Sequence, residues 1–209
     1  MENIILFEST VSADFLPLTY LRPLGEMRLG RWRLSEKWSM LLGGGSVSYL
    51  AAPHLSNRYP TTIREDNIII NSTVLPSQDL VNSLSTLNAG QCLMREDVFI
   101  GCRLNAREAE LFLNAGDSRA YDEIQFKHPL DRVSRPEDFL ALSENQIRFD
   151  MQCLSSAGHY KGTLNSYIHV IGKDLLIEEG AEIFPCTLNT TTGPIILGKN
   201  CVIMEGSHL

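Results

Sequence analysis

Residues 171–186 read I-G-K-D-L-L-I-E-E-G-A-E-I-F-P-C, with an aliphatic residue at every sixth position: Ile171, Ile177 and Ile183. After an interruption at Asn189 to Pro194 the spacing resumes with Leu197 and Ile203, and Leu209 opens a further unit. A six-residue period fits neither the 3.6-residue turn of an α-helix nor the two-residue alternation of a strand. It is the period of a hexapeptide β-helix, where aliphatic side chains stack at equivalent corners of successive coils. A left-handed helix of this kind uses three hexapeptides per triangular coil, so residues 171–209 supply about two coils. Repeat folds need roughly three or more units and a cap, because an open end exposes strand edges and apolar side chains. The chain therefore reads as a piece of a longer β-helix protein, with part of its function beyond residue 209.

Upstream of residue 160 the pattern changes. Asn3 to Phe7 (N-I-I-L-F) and Asp66 to Asn71 (D-N-I-I-I-N) are apolar runs suited to buried strands. Arg28 to Leu42 reads as a helix with Trp32, Trp38, Leu41 and Leu42 as its apolar positions, stopped by Gly43-Gly44-Gly45. Ser77 caps a second helix carrying Leu80, Val81, Leu84 and Leu87 on one face, with Gly90 beyond it. Gln91 to Met94 and Val98 to Ile100 are further short strands, and a last helix starts at Pro136 and runs through Ile147. Strands alternating with helices imply an α/β, Rossmann-like, mostly parallel sheet covered on both faces. The division falls at residue 158: an α/β domain over 1–158, then the first coils of a left-handed β-helix over 159–209.

Composition narrows the function. Lys+Arg total 18 against Asp+Glu 25, a net charge of −7, which argues against nucleic acid as a partner. Met1-Glu2-Asn3 lacks the basic segment of a signal peptide, and no run approaches the roughly 18 apolar residues that cross a bilayer. The five cysteines (Cys92, Cys102, Cys153, Cys186, Cys201) are widely spaced with no C-x-x-C, which reads as buried reduced thiols in a cytoplasmic protein. The five histidines show no metal-ligand spacing and no nucleophile beside them. In this acidic chain, Arg22, Arg28, Arg31, Arg33 and Lys37 stand against only Glu26 and Glu36. They form a local positive island suited to a phosphate-bearing ligand, or else a solvated helix face. The island follows the first strand, where open α/β sheets place their ligand crevice.

The stretch Pro17-Leu18-Thr19-Tyr20-Leu21-Arg22-Pro23, with Arg28-Leu29-Gly30 and Glu36-Lys37-Trp38 after it, resembles the sugar nucleotidyltransferases. Within that family the chain is most similar to the alternative form of the bifunctional N-acetylglucosamine-1-phosphate uridylyltransferase/glucosamine-1-phosphate acetyltransferase. T-L-N-T-T-T-G-P-I (Thr187 to Ile195) and I-M-E-G-S (Ile203 to Ser207) match the second half of such proteins. The resemblance implies transfer of a uridylyl group from UTP to N-acetylglucosamine-1-phosphate with release of pyrophosphate and Mg²⁺ as cofactor. For the complete β-helix it implies an acetyltransferase half, with acetyl-CoA bound on later coils between the subunits of a homotrimer.

By the same resemblance, Arg22 stands where the family carries the lysine of its P-K-P motif, making it the candidate catalytic residue in contact with the phosphates. Thr19 and the backbone around Leu18 line the loop, and Arg28 holds a second phosphate oxygen. Lys37 either joins them or makes a surface i,i+4 pair. Asn71 donates to the base or ribose, or forms a turn after its strand. Two features depart from the family. Ser9 to Asp14 has no glycine where a loop of the form A-G-G-x-G-T-R lets backbone amides approach phosphates. The aspartate that holds Mg²⁺ at the end of the second strand is absent, since Ile70-Asn71-Ser72-Thr73 stands there. Asp138 and Asp150 are the candidate replacements, although a carboxylate in a first helical turn such as Asp138 is favourable without any metal. These departures leave a second reading open, a catalytically degenerate domain that binds a sugar nucleotide or supports a trimer.

Overall fold

A computed structural model describes residues 3–8, 14–115, 121–156 and 164–209, the last two residues of the third segment by their backbone only. The Ser9–Ala13 part of the glycine-less loop and the junction at 158/159 lie outside the described residues. By its contacts the chain divides into two compact units, Met1–Arg28 with Trp32–Phe139, and Leu29–Arg31 with Leu140–Leu209.

The first unit is built on a six-stranded mixed sheet. Its strands are β1 (Asn3–Phe7), β4 (Ser46–Leu50), β5 (Asp66–Asn71), β6 (Gln91–Arg95), β7 (Val98–Asn105) and β8 (Asp122–Gln125), ordered β4-β1-β5-β7-β6-β8. The numbers β2 and β3 belong to a two-stranded hairpin, Arg28–Leu29 with Trp32–Arg33. β1 runs parallel to β4 and β5, β6 runs parallel to β8, and β7 lies antiparallel to both β5 and β6. Ile4, Leu6, Ile68 and Ile70 face a core with Trp38 and Leu42, which α1 (Leu34–Leu41) brings, and with Leu80, Val81 and Leu84 of α2 (Gln78–Ser85). Ile5, Ile69, Cys92 and Cys102 face the opposite core, covered by Ala109 and Phe112 of α3 (Ala106–Ala115). With both faces buried, a central strand needs apolar side chains at odd and even positions alike, hence the unbroken run in β1. Each such side chain contributes about 1.5–3 kcal/mol on burial.

Sequence and structure part company at two helices. The helix read over Arg28 to Leu42 begins only at Leu34, because the β2–β3 hairpin occupies its first turn and a half. Gly30, at φ 78°, takes the positive φ that the first loop position of a two-residue hairpin needs. The helix read from Pro136 is two helices, α4 (Asp138–Ala141) and α5 (Ser143–Ser156). The carboxylate of Asp138 accepts the backbone N–H groups of Ser134 (2.6 Å) and Arg135 (2.9 Å) and fixes a turn where the helix was to start. The Ser77 cap stands as read, its Oγ accepting the Leu80 N–H at 3.4 Å.

The second unit carries α5 and six short strands: β9 (His169–Ile171), β10 (Leu175–Ile177), β11 (Glu182–Ile183), β12 (Thr187–Asn189), β13 (Ile195–Leu197) and β14 (Val202–Ile203). They pair in parallel as β9–β12, β10–β13 and β11–β14, an arrangement consistent with the three sides of stacked β-helix coils. His169 pairs with Thr187, 18 residues on, whereas Leu175 pairs with Ile195 and Glu182 with Val202, each 20 on. The two extra residues fall inside the Asn189 to Pro194 interruption, so three hexapeptides per coil hold wherever the repeat is unbroken. Ile177 stacks on Leu197 and Ile183 on Ile203, with Leu188 fully buried beneath them. The corner read at Ile171 is different: its register partner is Asn189 and its side chain is exposed. Among the described residues no helix is long and apolar enough to cross a membrane.

Candidate functional site

The chain leaves β1, returns beside it as β4, and then places β5 on β1's other side. Strand order therefore reverses between β1 and β5, and open α/β sheets bind ligands at the carboxyl ends of their strands at such a switch point. The residues there are Glu8 after β1 and Asn71, Ser72 and Thr73 at the end of β5, with the Ser72 N–H donating to Phe7 O at 2.9 Å. Glu8 draws in a third piece of chain, because its Oε1 accepts the backbone N–H of Leu24. The Arg22–Glu26 turn is thereby held at the end of β1. It lies close: a Cβ on Gly25 would stand 2.5 Å from Leu6 Cδ1 and 3.1 Å from Tyr49 Cε1, so only glycine fits without displacement. Glu26 completes the attachment, its Oε1 accepting from Tyr49 Oη and from Ser35 Oγ at 3.0 Å.

The positive island separates into residues with different fates. Arg22 is exposed and, among the described residues, makes no ion pair or hydrogen bond. Arg28 is also exposed. Arg33 is bound to Glu26 at 2.8 Å, and Arg31 belongs to the second unit, where it pairs with Glu178 at 2.7 Å. Lys37 is fully buried and engaged in interactions within the protein, so the surface i,i+4 role does not hold. Leu18 is exposed and donates its N–H to Phe15 O at 2.8 Å, whereas Thr19 is buried. Tyr20 and His54 stack at 5.6 Å, and His54 Nε2 lies 3.0 Å from Tyr20 O, which ties this loop to the turn after β4.

Asn71 is a turn residue in this fold. Its Nδ2 donates to Phe99 O at 2.9 Å, and its Oδ1 accepts from Thr73 N (3.0 Å) and Thr73 Oγ1 (2.9 Å). The Asp138 carboxyl is held below its ordinary value, first by the Ser134 N–H and then by that of Arg135. Asp150, buried in the second unit, accepts the Arg31 N–H at 2.7 Å. Both candidate replacements for the metal aspartate thus serve backbone donors of their own surroundings. Among the described residues no three Asp, Glu, His or Cys side chains converge as a metal site. Among the described residues, the two carboxylates read as replacements do not form a Mg²⁺ cradle.

Glu8 is the site residue that sequence reasoning missed. Burial pushes its carboxyl up to about 7, against the opposing pull of the Leu24 and Gly25 N–H groups. The available signal was an acid directly following a fully apolar strand, where a polar loop residue is the ordinary finding. Two concavities lie away from it among the described residues, one lined by Ser83, Leu87, Leu93 and Phe126 and another by Asp14, Ser134 and Arg135. Topology and chemistry mark the β1/β5 crevice. The sequence profile of the sugar nucleotidyl transferase family matches residues 4–158, which span the first unit's sheet from the second residue of β1 onward. No match was found among the curated proteins.

Proposed function

The chain belongs to the sugar nucleotidyl transferase family, and we propose that it transfers a uridylyl group from UTP to N-acetylglucosamine-1-phosphate. In this reading the α/β domain spans 1–158 and the coils from 159 begin a β-helix that, complete, forms a homotrimer and an acetyltransferase. An oxygen of the sugar phosphate attacks the α-phosphorus, the bond from that phosphorus to the bridging oxygen of the β-phosphate breaks, and pyrophosphate leaves with its electron pair. Little covalent work is asked of the protein, so positioning and charge neutralisation are its contribution.

The observation that carries the reading is Arg22, an exposed guanidinium with no ion pair or hydrogen bond among the described residues, two residues before an amide anchored at the end of β1. Five fixed donors suit it to phosphate oxygens. Arg28 would add a second cation, while Thr19 and the backbone at Leu18, turned back onto Phe15 O, would shape the loop that carries Arg22. Lys37 and Asn71 would contribute from beneath, by supporting α1 and the turn after β5. Mg²⁺ chemistry is usual for the family.

The test is pyrophosphate release, with UTP compared with the other triphosphates and N-acetylglucosamine-1-phosphate with glucose-1-phosphate. Release that depends on one triphosphate and one sugar phosphate is the expected result. Arg22→Ala then lowers kcat/KM by about 30-fold, on the order of 2 kcal/mol for a lost charge-assisted phosphate contact. Unaltered turnover in that variant rejects Arg22. The engagement of Asp138, Asp150 and Asn71 elsewhere favours a second reading, a sugar-nucleotide-binding module without turnover. Binding of UDP-N-acetylglucosamine with no pyrophosphate release would select it.

A further inference from the structure

Glu8 makes no ion pair among the described residues, yet three segments of chain converge on it, and its carboxylate caps the short helical turn Leu24–Glu26. Its N–H donates to Leu50 O at 3.1 Å, and the carbonyl before it accepts from Ser72 N at 2.9 Å, so β4 and β5 fix its backbone from both sides. Its carboxylate takes the N–H groups of Leu24 and Gly25. The second oxygen, Oε2, is buried without a hydrogen-bond partner among the described residues. A carboxylate so poorly compensated does not serve stability, because removing its water is opposed by only two donors.

We propose that Glu8 is a positioning residue of the β1/β5 site: its carboxylate fastens the Pro23–Gly25 turn to the end of β1 and thereby fixes where Arg22 meets substrate phosphate. The inference rests on the nucleotidyltransferase reading. Successive Cα atoms are about 3.8 Å apart, so the anchored Leu24 amide confines the Arg22 backbone to within about 8 Å. Gly25 is packed against Leu6 and Tyr49, and Glu26 is bound by Tyr49 and Ser35, which leaves Arg22 as the first residue of the turn with freedom to reach outward. The charged and titratable groups on the packed elements are Arg22 and Glu26 on the turn, Tyr49 on β4, and Asp66, which begins β5 at the strand's far end and pairs with Arg103. Asn71, Ser72 and Thr73 on the β5 side carry no charge. Ionised, Glu8 holds both N–H groups about twice as strongly as a neutral acceptor would. The anchor therefore tightens as pH rises through the titration of Glu8.

The experiment uses the full chain as wild type, Glu8→Gln, Arg22→Ala and the double variant, with circular dichroism to establish folding and Glu8→Asp in reserve should Glu8→Gln not fold. In ¹H–¹⁵N spectra the Leu24 and Gly25 amides of wild type titrate together near pH 7, and in Glu8→Gln they do not. Glu8→Gln lowers kcat/KM about tenfold and removes its rising limb near pH 7. In the Arg22→Ala background the same change costs less than twofold, because there is no guanidinium left to position. Full additivity, silent amides in wild type, or a rate that falls as pH rises through 7 would each overturn the role of Glu8. Absence of pyrophosphate release from wild type with every substrate pair overturns the nucleotidyltransferase reading itself.

Discussion

A carboxyl whose ionisation sits near 7 in the folded chain and near 4.5 when unfolded makes stability depend on pH with a defined sign. Between those values the folded protein binds more protons than the unfolded one at Glu8, so its contribution to stability falls as pH rises through the window. At about 1.4 kcal/mol for each pH unit separating the two values, the loss is roughly 3 kcal/mol. Glu8→Gln removes this dependence. Denaturant unfolding of both proteins from pH 4 to pH 8 should show the variant gaining roughly 3 kcal/mol relative to wild type across the range, and parallel curves would contradict it. The sequence marked Arg22 because its neighbours form a motif. It passed over Glu8 because the environment of Glu8 comes from Leu24 and Gly25, 16 and 17 residues along the chain. Local pattern reports what a residue is; the burial that changes its chemistry is assembled from elsewhere.

The same limit operates on elements. Arg22 to Lys37 looked like one basic stretch running into a helix, and the β2–β3 hairpin divides it. Gly30 was the visible signal, but a glycine inside a helical pattern competes poorly with Trp32 and Trp38 at helical spacing. The hairpin's tip places Arg31 in the second unit, where Nε (3.1 Å) and Nη2 (2.7 Å) both donate to Glu178 Oε2 and the Lys199 N–H adds a third bond at 2.9 Å. Glu178 is only 3% exposed and Arg31 27%. Removing one partner of a buried pair leaves a charge with too few donors, which costs about 3–5 kcal/mol in closed sites. The partial exposure of Arg31 brings that down to roughly 2–3 kcal/mol. Arg31→Met should destabilise by that amount in denaturant unfolding. Adding Glu178→Gln should restore most of it, since an amide oxygen still accepts from Lys199 without carrying charge. Equal stability of the single and double variants would mean that lost packing, not the pair, sets the effect.

Across the whole molecule, legibility follows how local the folding information is. The short parallel strand pairs of the second unit were readable because each strand's partner lies only 18–20 residues along the chain, and the change in that spacing was announced by the break at Asn189 to Pro194. The strands β1 and β5 were readable from their apolar runs. The start of β7 was read over Val98 to Ile100 but not its antiparallel direction, and the edge strand β4 was not read, because a strand's direction and neighbours are set by pairings up to 60-odd residues apart, such as Asn3 with Asn67. The clusters around Ile4 and Ile5 draw only on residues before 131, and the cluster around Leu188 only on residues after 163. Among the described residues these clusters share no residue between the two units, which predicts two unfolding steps. Both tryptophans, Trp32 and Trp38, belong to the first unit, so their fluorescence follows that unit alone, whereas far-ultraviolet circular dichroism follows both. Leu188 is completely buried, and truncating such a leucine costs about 2–5 kcal/mol. Leu188→Ala should therefore move the later-strand component of the dichroism transition to lower denaturant while the tryptophan midpoint and Arg22-dependent turnover stay where they are. A tryptophan midpoint that shifts in step with the dichroism would show instead that the β-helix coils and the nucleotidyltransferase sheet unfold as one cooperative body.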